Sequence, residues 1–280
     1  MSAPLHYTPS DSIERPGTWT LESGTERSAD YAPEFASNGD PSNPVWILEN
    51  QIRLVGDFGT AREIAMVALF AHTFQEGTVV RVQANATNVW TAPSLSVNIP
   101  IKEWYRDGFS CAALVDLRTA YPSAGARTFR YWSIDNMTDA NDVTVAIGEV
   151  VLASDWLPLE PFDIQHNYVF AVEHLASRNA SKRGVQMVYD VESRHRAIQA
   201  ACRTNLSGFD NILDWIDEQH GIVNPMVIDL DIESSSRRLS EPFYVRFQDA
   251  VLPASSTMHG EVYDIALNFD ELGSGPPVVA

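Results

Sequence analysis

Apolar residues recur at every second position through much of this chain, in short runs broken by Gly, Pro, Asn and Asp. TVVRVQANA sets Val80, Val82 and Ala84 against Val79, Arg81 and Gln83. FRYWSID sets Phe129, Tyr131 and Ser133 against Arg130, Trp132 and Ile134. In VTVAIGEVVL, Val143, Val145 and Ile147 share a face. Such alternation predicts strands, because successive side chains on an extended backbone point to opposite sides. The run from Ile64 to Phe70 is apolar throughout and lacks helix caps, which predicts a buried strand. NMTDAND is a turn-forming cluster between two such runs, so residues 129–156 read as a β-hairpin.

The second half alternates in the same way. Tyr168, Phe170 and Val172 share a face, as do Val185, Met187, Tyr189 and Val191. Met226, Ile228, Leu230 and Ile232 oppose Asp229, Asp231 and Glu233, and Tyr263, Ile265, Leu267 and Phe269 form a closing strand. One helix interrupts them, over about 207–220, with Ser207 as N-cap and Gly221 just past its end. Phe209, Ile212, Leu213 and Ile216 make its apolar stripe; Asp210, Asp214, Asp217 and Glu218 lie opposite, an acidic face open to a partner or to solvent.

The pattern therefore predicts a mainly β chain of two antiparallel β-sandwich domains, the second with one packed α-helix. Residues 1–45, rich in Ser, Pro, Glu and Gly with isolated aromatics, read as an extended arm. A first sandwich spans 46–158 and ends at a boundary marked by Pro158 and Pro161. The second spans 159–272, and 273–280 is a flexible tail.

Charge narrows the functional classes. The 280 residues carry a net charge of −18, and two of the 19 basic residues are lysines. The densest basic spots, Arg194 to Arg196 and Arg237-Arg238, are short and stand among acids, so no nucleic-acid or anionic-membrane partner is expected. The N-terminus has no basic patch followed by an apolar run, so no signal peptide is expected, and no apolar run is long enough for a membrane span. Cys111 and Cys202 fall in different predicted domains, which speaks for two thiols rather than a bridge.

Candidate chemistry is sparse. His166 and His174 on one strand would lie about 26 Å apart, too far to share a metal. Asp229 and Asp231 share a strand face, an arrangement equally ordinary on a solvated sheet. NMTDAND lacks the ligand order of a calcium loop, and no nucleophile elbow, phosphate loop or zinc spacing occurs. The expectation is a protein that is not an enzyme, with no catalytic residues, metal or cofactor. Trp90, Trp104 and Tyr105 stand out in the loops of the first domain, where aromatics stack on sugars, anchor partners or plug a sandwich end.

Four segments in fixed order carry a resemblance: Val55-Gly56-Asp57-Phe58-Gly59, Val67 to Phe74, Arg130 to Asp135, and Ile147 to Leu152. Over about residues 46–156 the chain resembles the galactose-binding-like (discoidin-like) β-sandwich, in the version carried by tail-associated structural proteins of long-tailed bacteriophages. The second half, with its helix and closing strand, loosely resembles the fold of distal-tail and tail-tube proteins. The resemblance implies a structural virion protein made in the host cytoplasm and built into the tail or tail tip. Its partners would be itself, as a trimeric or hexameric ring, and neighbouring tail proteins. The alternative is a carbohydrate-binding module that attaches to a host surface glycan.

Overall fold

The computed structural model describes residues 6–41, 43–48, 52–74, 78–101, 112–136, 145–158, 163–180, 186–204, 206–218, 224–229, 242–248, 254–255 and 263–272. The described part is mainly β, and its paired strands run antiparallel, as the alternation predicts. In chain order the first strands are β1 (His6–Tyr7), β2 (Ile13–Glu14), β3 (Thr18–Ser23), β4 (Val45–Ile47), β5 (Ile52–Glu63), β6 (Met66–Phe70), β7 (Val79–Asn85) and β8 (Leu95–Pro100). Then come β9 (Ala112–Asp116), the short helix α1 (Leu117–Ala120), β10 (Thr128–Asn136), β11 (Val145–Ile147), β12 (Glu149–Ala153) and β13 (Leu157–Pro158). The remainder is β14 (Asp163–Ala180), β15 (Gln186–Thr204), α2 (Leu206–Glu218), β16 (Met226–Asp229), β17 (Phe243–Phe247), β18 (Ala254–Ser255) and β19 (Tyr263–Glu271).

The first half is a sandwich of a five-stranded sheet, β3-β5-β10-β7-β8, on a four-stranded one, β2-β12-β6-β9. Alternate residues meet between them. Ile52 and Leu54, Val80 and Val82, Trp132 and Ile134 face Val67, Leu69, Val150 and Leu152 in one core. Each such side chain taken from water stabilises the fold by roughly 1.5–3 kcal/mol. β10 and β12 do not form the hairpin expected of residues 129–156. β10 lies between β5 and β7, while β12 lies between β2 and β6. The two alternating runs put their apolar faces into the same core from opposite layers.

The apolar run of β6 has a different cause from simple alternation. Its second face, with Met66, Ala68 and Phe70, packs with Val151 and Ala153 of β12 against Val227 and Tyr244 of the second half. Phe70 and Tyr244 stack with ring centroids 5.2 Å apart. Between β11 and β12, Gly148 is approached so closely that a Cβ there would stand 2.3 Å from the Pro41 carbonyl oxygen and 2.6 Å from the Ala71 Cβ.

The second half is built on one large sheet, ordered β13-β1-β16-β17-β19-β15-β14, with β18 beside β19. The four-stranded sheet covers one of its faces and α2 the other. Trp215 of α2 sits against Tyr7, Phe247 and Phe269, with centroids 4.8, 5.1 and 6.3 Å away. The helix lies where its periodicity puts it, but turned about its axis. Ile212 and Trp215 are buried and Leu213 is 37% exposed, because the aromatic cluster below takes the largest side chain. Ser207 lies inside the first turn rather than at the cap, and Gly221 is outside the described residues.

The expectation of an extended arm over residues 1–45 is corrected. β1 pairs with β13 and β16, β2 with β12, and β3 with β5. Trp19 is buried in the sandwich core and its Nε1 donates to Ser37 Oγ at 2.7 Å. These strands are two to six residues long, too short for a sustained period to show in the sequence. The tail at 273–280 lies outside the described residues. Trp19→Ala, which leaves a large core cavity and an unpartnered Ser37, is expected to lower unfolding free energy by about 3–5 kcal/mol in urea titration; an arm merely laid on the surface would lose little.

Candidate functional site

The outward face of the five-stranded sheet carries the most unusual polar arrangement among the described residues. Alternation sends Arg53, Val55 and Asp57 of β5 outward, with Ser133 and Asp135 of β10 and Arg81 and Gln83 of β7. The register then makes rows: Asp135 lies between Arg53 and Arg81, and Ser133 between Val55 and Gln83. At one end a register shift between Phe129 and Tyr131 breaks the alternation expected of FRYWSID. Phe129 turns to the core, 6.2 Å from Trp132, and Arg130 reaches the outer side. There its Nε and Nη2 donate to the two Asp57 oxygens at 2.7 and 2.8 Å. This guanidinium, with help from the Gly59 amide, holds the Asp57 carboxyl below its usual range.

At the centre of the face Asp135 is fully buried. Arg53 donates to its Oδ2 from Nε (3.2 Å) and Nη2 (2.5 Å), and Arg81 Nη2 donates to Oδ1 at 3.2 Å. Beside this triad Ser133 is 1% exposed and Gln83 4%. Ser133 Oγ, Gln83 Oε1 and Arg81 Nε are buried without a hydrogen-bond partner. An unmade hydrogen bond at a buried polar atom costs about 1–3 kcal/mol. Trp90, from the loop 86–94, belongs to neither hydrophobic core and is 8% exposed. Its ring centroid lies 5.8 Å from the Arg53 guanidinium carbon, and its Nε1 donates to Asn88 Oδ1 at 2.8 Å. One face thus combines a flat apolar ring, an unused acceptor, an unused hydroxyl and cationic donors. That set matches a polyhydroxylated ring, which offers hydroxyls and a C–H surface together.

Of the residues singled out in the sequence, Trp90 is on this face, buried beside Arg53 rather than exposed as an open platform. Trp104 and Tyr105 lie outside the described residues. Asp210, Asp214 and Asp217 are exposed on α2, on the far side of the large sheet, and the structure does not bring them near Trp90. The side chain of Glu218 is outside the described residues. So are Asp231, the NMTDAND loop beyond Asn136, and the side chains of His166, His174 and Cys202. Among the described residues no group of three metal-ligating side chains gathers. Arg53, Gln83, Ser133 and Asp135 were not legible as site residues. Their outward positions follow from alternation, but ordinary polar residues on an outer sheet face give no sign of being covered.

A second buried polar group lies where the two halves meet. Glu149 is buried on the β12 face toward Tyr244, and its Oε2 accepts from the Gly39 amide at 2.9 Å. Burial pushes its carboxyl up to about 8, against the opposing pull of that hydrogen bond and of Arg15; Asp40 pushes the same way as burial. Burial also raises the Tyr244 hydroxyl. His72 is buried with both ring nitrogens unpartnered, and burial pushes it down to about 4.

No family model matches the chain, and no curated protein matches it. Several solved structures align with about half of it. One is the lectin domain of lectinolysin complexed with Lewis B antigen, at 12% identity and a TM-score of 0.37, covering 50% of this chain and 94% of that one. Another is a Streptococcus pneumoniae fucose binding module, at 14% and 0.37, covering 51% and 94%. A third is CBM32-1 from a family 31 glycoside hydrolase of Clostridium perfringens, at 17% and 0.35, covering 52% and 99%.

The two shifted groups act in opposite directions on stability. Glu149 titrates near 4.5 unfolded and about 8 folded, so its contribution is full below 4.5 and is lost as pH rises toward 8. His72 titrates near 6.5 unfolded and about 4 folded, so its contribution is full above 6.5 and is lost as pH falls toward 4. Each slope is about 1.4 kcal/mol per pH unit, and the two oppose each other between 4.5 and 6.5. Chemical denaturation across pH is expected to show stability falling from 6.5 to 8. In Glu149→Gln that fall disappears, and a loss below 6.5 is unmasked.

Proposed function

We propose that the protein is a non-catalytic glycan-binding module whose site is the outer face of the five-stranded sheet. The observation that carries this reading is the cross-strand pair Ser133–Gln83, buried side by side with unused polar atoms on the face where the Trp90 ring lies near Arg53. Stable folds seldom leave such atoms unmade without a use. A sugar hydroxyl satisfies both at once: it donates to Gln83 Oε1 and exchanges a hydrogen bond with Ser133 Oγ. Trp90 then stacks on the ring, and its loop moves to admit it. On a glycan array the full chain is expected to select a defined group of sugars. Trp90→Ala and Gln83→Ala each lower affinity for the best of them at least tenfold in calorimetric titration, with the thermal midpoint checked in parallel. An array with no binding sinks the reading.

A second reading, a ring-forming structural subunit of a phage tail assembled with other tail proteins, is supported by a different feature. β15 pairs with β19 from Thr204 back to Ala197. Beyond that point the β14–β15 pair continues from Val172–Arg196 to Ala180–Gln186 with no third strand among the described residues. This two-stranded ribbon projects about 30 Å, and such ribbons are marginal in water unless something packs on them. A neighbouring subunit is one such support. Mass photometry over a range of concentrations is expected to show a discrete closed oligomer, trimer or hexamer, that a ribbon-shortened chain cannot form. A monomer at every concentration, or an oligomer indifferent to the shortening, counts against it.

A further inference from the structure

We propose that the sugar bound on the outer face carries a carboxylate, and that Arg53 and Arg81 hold it. This inference rests on the glycan-binding reading and adds the class of glycan.

The argument starts from charge. Asp135 carries one negative charge, and one arginine is enough to neutralise it. The fold supplies two, each bonded to a different carboxylate oxygen. The triad therefore keeps one positive charge, in a chain whose net charge is −18. Structural need for Asp135 explains one guanidinium and leaves the other unexplained.

Exposure supports the same conclusion. The Asp135 side chain is sealed, whereas Arg53 and Arg81 are 20% and 29% exposed. The solvent side of the triad is thus its cationic side. Both guanidinium groups retain N–H donors beyond those that Asp135 accepts, including the unpartnered Arg81 Nε. A planar fork of N–H donors suits a carboxylate better than it suits a hydroxyl. Ser133 and Gln83, one row along the same strands, supply the hydroxyl contacts. A uronic or sialic type of sugar presents both chemistries on one ring, a carboxylate beside ring hydroxyls. The surrounding negative charge of the protein repels such a ligand at long range, so binding depends on the local pair and is not a general attraction for polyanions.

The test uses the full chain on an array of matched pairs, each an acidic saccharide and its neutral counterpart. Galacturonate oligomers with their methyl esters, and sialylated glycans with their desialylated forms, serve as pairs. The acidic member is expected to bind at least tenfold tighter. Arg81→Gln should bring it down to the level of the neutral member. Equal binding within pairs, or preference for neutral members, overturns the assignment of a carboxylate and leaves the glycan-binding reading standing. Binding of no member of any pair overturns both. The comparison within pairs is made on the unaltered protein, so it does not depend on Arg81→Gln folding.

Discussion

The four-stranded sheet is buried on both faces, and the rest of the molecule is arranged by that constraint. A sheet in that position cannot alternate apolar and polar residues, since neither side meets water. β6 accordingly reads Met-Val-Ala-Leu-Phe, with odd and even positions serving two different cores. The same position explains why burial raises the Glu149 carboxyl. The two halves are therefore not beads on a string. They share a layer, and the second sheet finds its cover on one side in the first domain's strands and on the other in α2.

With the inner layers so closed, the faces left for recognition are few. The outer face of the five-stranded sheet is one, and it departs from an ordinary solvated sheet by being polar and covered at once. Covered polar groups are expensive unless something completes their hydrogen bonds. The Arg53–Asp135–Arg81 triad completes most of its own, and the adjoining Ser133–Gln83 pair does not. Neighbouring rows of one sheet thus differ in how far their hydrogen bonds are made within the fold.

Much of the fold was legible in the sequence because period two and period 3.6 are direct consequences of backbone geometry. The strands β7, β10, β16 and β19 follow from alternation, β6 from its unbroken apolar run, and α2 from its stripe. Two kinds of feature were not legible. The first is pairing: β10 and β12 look like a hairpin, and only the packing shows that they belong to different layers. The second is the shortness of β1, β2 and β3, which are held by Tyr7 and Trp19 and by partners far away in the chain. The candidate site suffered from a third difficulty. Trp90 stood out by type, but Arg81, Gln83, Ser133 and Asp135 look like any polar face until their burial and the unmade bonds of Gln83, Ser133 and Arg81 are seen.

The threading of the N-terminus has a consequence for biosynthesis. Val227 donates its amide to Thr8 Oγ1 and accepts from the Thr8 amide, a contact across 219 positions of chain. Ser12 accepts from Ser154 in the same way. As the chain leaves the ribosome, β1 and β2 emerge well before the strands that hold them. The large sheet cannot close until β16 arrives, and the four-stranded sheet lacks its edge until β12 does. Loop closure over such separations is slow. The nascent chain thus carries unpaired strands through much of its synthesis, and β1 and β2 are locked in place only long after they are made.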